Sequence, residues 1–147
     1  MHLTADQVAA LKASWPEVSA GDGGAQLGLE MFTRYFDENP QMMFVFGYSG
    51  RTSALKHNSK LQNHGKIIVH QIGQAVSELD DGSKFEATLH KLGQEHKGFG
   101  DIKGEYFPAL GDALLEAMNS KVHGLDRTLW AAGYRVISDA LIAGLES

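Results

Sequence analysis

"LQNHGKIIVHQIG", residues 61–73, is the stretch on which the fold turns. Leu61, Ile68, Ile72 and, further on, Leu79 fall on one stripe of a helix, and His64 sits within that stripe. Gly65 follows at once and gives up about 1 kcal/mol of helix propensity. A helix that aims an imidazole into its own apolar face and then accepts a glycine needs a reason for each. The periodicity predicts one helix over residues 52–79, ended by Asp80-Asp81-Gly82.

The same period recurs on both sides. Thr4-Ala5-Asp6-Gln7 reads as a capping box, and Val8, Leu11, Trp15 and Val18 form a stripe that Pro16 is expected to kink or shorten. After the break "GDGGAQ", residues 21–26, a second helix carries Leu29, Phe32 and Phe36 inward. Asn39-Pro40 reads as a restart, with Asn as the cap and Pro in the first helical position. "FVFGYSG", residues 44–50, reads as an aromatic loop. Phe85, Leu89, Leu92 and His96 mark another helix, and "KGFGD", residues 97–101, turns the chain. Two more helices are expected near residues 102–120 and 126–145, with a bend at Pro108. Their inward residues are Tyr106, Phe107, Leu110, Leu114 and Met118, then Trp130, Tyr134, Ile137 and Leu141. No strand-like alternation of useful length occurs, so the expected class is all-α.

A length of 147 residues suits one domain, and 43% apolar residues suit a folded globule. The net charge of −5, with no basic block, argues against a nucleic-acid or anionic-membrane footprint. The apolar runs are too short for a membrane span, and no signal peptide is expected at the start. With no cysteine there is no disulfide, no thiolate nucleophile and no covalent haem attachment, which suits a cytoplasmic protein.

His96 repeats the oddity of His64: it continues the stripe of Phe85, Leu89 and Leu92. A buried imidazole without a partner costs about 1–3 kcal/mol. A backbone carbonyl or a metal could satisfy it, but zinc would want three or four close ligands, and no matching third ligand appears. His2 is terminal, His57 and His123 lie near helix starts or loops, and His70 and His90 lie off the inward stripes. Two opposed histidines among Phe and Ile suit a flat, apolar, iron-bearing group, one ligating and one facing a diatomic ligand. Spacing alone leaves satisfied core histidines equally open.

The whole chain, from Leu3 to Leu145, resembles a globin. The match rests on Trp15, "NPQMMFVF" with Pro40 six residues before Phe46, His64-Gly65, Ile68 four residues after His64, Leu92-x-x-x-His96, and Tyr106-Phe107. Details such as "HKGFGDIK" and "YFPALGDALLEAM" are most similar to intracellular haemoglobins of annelid bloodworms.

The resemblance implies a three-over-three helical sandwich around one haem b. It places His96 as the proximal iron ligand and His64 as the distal histidine, hydrogen-bonding bound oxygen. Phe46 would stack on the haem edge, and Ile68, Leu92, Ile102, Phe107, Leu110 and Leu141 would line the rest. Phe32 would face the ligand where many globins have Leu. Gly28 and Gly65 would be the small contacts where two helices cross. Glu95 stands where relatives offer a hydroxyl; turned to solvent, it would leave the proximal ring to a backbone carbonyl.

The implied function is reversible oxygen transport or storage, without enzymatic activity. Carbon monoxide and nitric oxide are further expected ligands, self-association is open, and the expected place is the cytoplasm of circulating or coelomic blood cells. The alternatives are a haem enzyme (nitric oxide dioxygenase or peroxidase) and a six-coordinate sensor-type globin. Neither a flavin domain nor an output domain is expected beside this one.

Overall fold

The computed structural model describes residues 2–100 and 102–147; Asp101, the end of the expected turn, lies outside them. Seven α-helices occur among the described residues: α1 (Ala5–Ser19), α2 (Ala25–Glu38), α3 (Gln41–Val45), α4 (Ser59–Ser77), α5 (Gly82–His96), α6 (Phe107–Lys121) and α7 (Arg127–Leu145). No strand occurs among those residues. The chain folds as an all-α, three-over-three sandwich: α1, α4 and α5 make one layer and α2, α6 and α7 the other. The layers meet chiefly where α2 crosses α4 and where α5 crosses α7.

Local chemistry explains the boundaries. The capping box at Thr4 forms in both directions: Gln7 N–H donates to Thr4 Oγ1 at 3.1 Å, and Thr4 N–H donates to Gln7 Oε1 at 2.8 Å. Pro16 does not end α1, which runs on to Ser19. Gly23 and Gly24 adopt positive φ at the following break, a conformation that L side chains rarely take.

Four expectations need correction. Residues 52–79 are not one helix: Thr52–His57 forms a 3-10 turn, Asn58 is extended, and its Oδ1 accepts from Leu61 N–H at 3.0 Å to start α4. That helix also ends at Ser77 rather than Leu79. Asn39 caps backward rather than forward. Its Nδ2 donates to the Tyr35 carbonyl at 3.0 Å, satisfying the end of α2, while Pro40 takes the cap position of α3. Pro108 makes no bend, because α6 begins only at Phe107 and the ring sits in its first turn, where no N–H is needed. Finally, Leu29 is only partly buried, and Leu27, Met31 and Tyr35 join Phe32 and Phe36 on the buried face of α2.

The two crossings are glycine contacts. A Cβ on Gly65 would lie 2.8 Å from the carbonyl carbon of Gly28, so α2 and α4 touch backbone to backbone, as the resemblance implied. Gly93 and Gly144 do the same for α5 and α7: a Cβ on Gly93 would lie 3.0 Å from Gly144 Cα. Gly65→Val is expected to cost about 3 kcal/mol, the upper end of overpacking penalties, because the obstacle is backbone that cannot rotate away. A lower urea midpoint checks this; an unchanged midpoint would show that the helices part without cost.

Candidate functional site

The glycine crossings hold α4 and α5 as the walls of one cavity of about 500 Å³. Nine of the ten residues singled out from sequence line it: Phe46, His64, Ile68, Leu92, His96, Ile102, Phe107, Leu110 and Leu141. The lining is predominantly apolar and carries no carboxylate among the described residues. His64 and His96 are partly buried; the other five histidines are exposed. No cluster of three or more His, Cys, Asp or Glu that could hold a metal occurs among the described residues.

His96 is the last residue of α5, and its Nδ1 lies 2.7 Å from the Leu92 carbonyl oxygen one turn back. A carbonyl oxygen only accepts, so Nδ1 carries the hydrogen and the Nε2 lone pair is left available. Phe99 meets the ring edge-on at 5.1 Å between centroids, and Phe107 lies at 6.2 Å. Glu95, next in sequence, is exposed. The His96 ring is therefore oriented by the backbone and by aromatic neighbours, not by that carboxylate.

His64, one turn into α4, packs on Phe32 at 4.8 Å and near Phe46 at 6.2 Å. Burial, and then the charges of Lys60 and His96, push its pKa below the usual 6.5. The imidazole is thus neutral around neutral pH and keeps one N–H and one lone pair.

Phe46 follows α3 and is fixed by an aromatic cluster. Its ring makes edge contacts with Phe32, Phe36 and Tyr35 at 5.6–5.9 Å. Across the cavity, Tyr134 Oη donates to the Phe107 carbonyl at 2.8 Å, tying α7 to the start of α6. Burial raises the Tyr134 pKa, so the phenol remains a donor.

Phe32 is placed differently from expectation. It is fully buried behind His64, and Met31 takes the adjoining place on the cavity wall. Phe32 stacks on Phe36 and lies tilted against His64, which holds its ring inside the layer contact.

Sequence reasoning missed the rim: Val45, Tyr48, Lys60, Ile67 and Phe99. One signal was present. Ile67-Ile68-Val69 is an apolar run wider than one helix face, so one residue had to face elsewhere. Ile67, in the cavity lining, is 46% exposed, and Phe99, also in the lining, is 62% exposed.

The globin family model matches residues 29–141. Over 147 residues, covering all of both chains, the protein is 76% identical to the globin major polymeric component P1 of Glycera dibranchiata, a bloodworm. It is 74% identical, again over both full lengths, to the globin polymeric component P2 of the same worm. A solved hexacoordinated haem protein from an anhydrobiotic tardigrade superposes with a TM-score of 0.86 over 99% of this chain and 97% of that one. At 20% identity, that likeness speaks to fold alone. The annelid resemblance holds, and the chain belongs to the globin family.

Proposed function

We propose that this globin, as a single domain over residues 1–147, holds one haem b between α4 and α5. It binds oxygen reversibly, for transport or storage, and is not an enzyme. The observation that carries the reading is His96, whose Nδ1–H is committed to the Leu92 carbonyl. Its Nε2 lone pair is free for iron in a cavity that also holds a neutral His64.

The residues fit the group. Haem b needs an apolar slot and one strong nitrogen donor, and the cavity offers both. When bound, the iron supplies a coordination position open to oxygen, carbon monoxide or nitric oxide. His96 would hold the iron, and the Leu92 carbonyl would strengthen the donor by polarising its imidazole. His64 would present an N–H to the ligand, in surroundings where a hydrogen bond is stronger than in water. Phe46, Ile68, Leu92, Ile102, Phe107, Leu110 and Leu141 would cover the ring and exclude water.

Among the described residues no carboxylate lines the cavity to serve as an acid–base partner for His64, which weighs against a dedicated peroxidase. The worm relatives are named as polymeric components, and self-association of this chain is part of the proposal. No helix among the described residues is long and apolar enough to cross a membrane. We place the protein in the cytoplasm of circulating or coelomic cells, by the annelid resemblance.

The absorption spectrum tests the reading. Dithionite reduction is expected to give one broad visible band that splits into two when oxygen is admitted. Sharp paired bands in the reduced, unliganded protein would put His64 on the iron and favour the six-coordinate reading instead.

A further inference from the structure

The chain holds five methionines and no cysteine, so its softest sites for an oxidant are thioethers. Four of the five lie among the described residues, and all four are buried: Met31 and Met118 at 1% exposure, Met43 at 5% and Met42 at 6%. Bulk solvent therefore discriminates little among them. The central cavity does, because Met31 alone of the four lines it.

The place of Met31 follows from the glycine crossing. α2 and α4 touch backbone to backbone at Gly28 and Gly65. Met31 lies three residues beyond Gly28, and Ile68 three beyond Gly65, so each stands about one turn from the contact on its own helix. His64 directly precedes Gly65, and Phe32, next in sequence to Met31, packs on the His64 ring at 4.8 Å. Met31 thus belongs to the wall that carries His64. The tyrosines of the lining, Tyr48, Tyr106 and Tyr134, are the other readily oxidised side chains there. Phenols give up electrons singly, and the Tyr134 hydroxyl is already committed to the Phe107 carbonyl. A thioether accepts a whole oxygen atom in one two-electron step.

We propose that Met31 is the side chain that takes an oxygen atom from hydrogen peroxide admitted to the open coordination position beside His64. This rests on the haem b reading above. Peroxide arises wherever bound oxygen leaves as superoxide and disproportionates. The step balances: the sulfur lone pair forms the S–O bond, the O–O bond breaks, and the second oxygen leaves as water with both hydrogens. Sulfur is oxidised to the sulfoxide, and peroxide is reduced. Met42, Met43 and Met118 lie outside the lining and have no such access.

Peptide mass mapping tests the proposal on haem-loaded ferric protein given a few equivalents of hydrogen peroxide, with and without cyanide on the iron. Met31 is expected to gain about 16 Da, one oxygen atom, before Met42, Met43 or Met118 changes. Cyanide, which occupies the open position, is expected to suppress that gain. Oxidation of Met42, Met43 or Met118 ahead of Met31 would overturn the proposal, and so would the oxygen appearing on a lining tyrosine instead. Equally fast oxidation of Met31 with cyanide present would also overturn it, since the peroxide would then react without the open position. Failure of the protein to take up haem would instead overturn the haem reading itself.

Discussion

Replacing His96 by glycine will strip the protein of haem. The apolar walls bind a flat ring without direction, and only a nitrogen donor fixes the iron. Among the described residues, His96 Nε2 is the one imidazole lone pair already oriented by a hydrogen bond on the other ring nitrogen, with Nδ1 2.7 Å from the Leu92 carbonyl oxygen. Losing the hydrogen-bond partner of a metal ligand typically costs about 10- to 100-fold in affinity, so losing the ligand itself is expected to cost more than about 100-fold. Purified His96→Gly is expected to carry little haem, and added imidazole is expected to restore it by occupying the vacated space. The helical fold is expected to persist in far-ultraviolet circular dichroism, because His96 is the last residue of its helix and is only partly buried. Normal haem retention by the variant, without imidazole, would show that another residue holds the iron.

The two histidines were legible because each is a polar residue on an apolar stripe, and a stripe is a one-dimensional pattern. Val8, Leu11, Phe85 and Leu89 were legible for the same reason, and all are buried. Asn58 and Asn39 were harder. Both side chains can bond the backbone ahead or behind, and only the finished turn shows which way each serves. Asn58 therefore splits what periodicity presented as one helix. Gly93 and Gly144 left no sequence signal, since their meaning lies in the contact between α5 and α7. Lys60 and Tyr48 were missed similarly: twelve residues apart, they meet only because the chain turns after α3. Met31 was passed over in favour of Phe32 because a family pattern aligns positions, not the rotation of a helix against its neighbour.

Replacing His64 by leucine will lower oxygen affinity and speed oxidation to the ferric state. Leucine keeps the volume and apolar character of the site but removes its N–H. A hydrogen bond to a ligand bearing negative charge is worth about 1.5–3 kcal/mol. At 1.36 kcal/mol per tenfold, oxygen dissociation is expected to accelerate roughly 10- to 100-fold. Carbon monoxide takes on less charge, so its dissociation is expected to change much less, and the ratio of the two effects separates hydrogen bonding from loosened packing. The apoprotein offers a control on the same side chain. His64 has a folded pKa below the 6.5 of the unfolded chain, so on acidification the unfolded state binds its proton first. Stability from this site is intact above about pH 6.5 and falls as pH drops from there through the lowered folded value. His64→Leu is expected to remove that part of the acid slope while the neutral-pH stability holds or rises. Unchanged oxygen dissociation and autoxidation in the leucine variant would leave His64 as a packed, neutral core histidine with no part in holding the ligand.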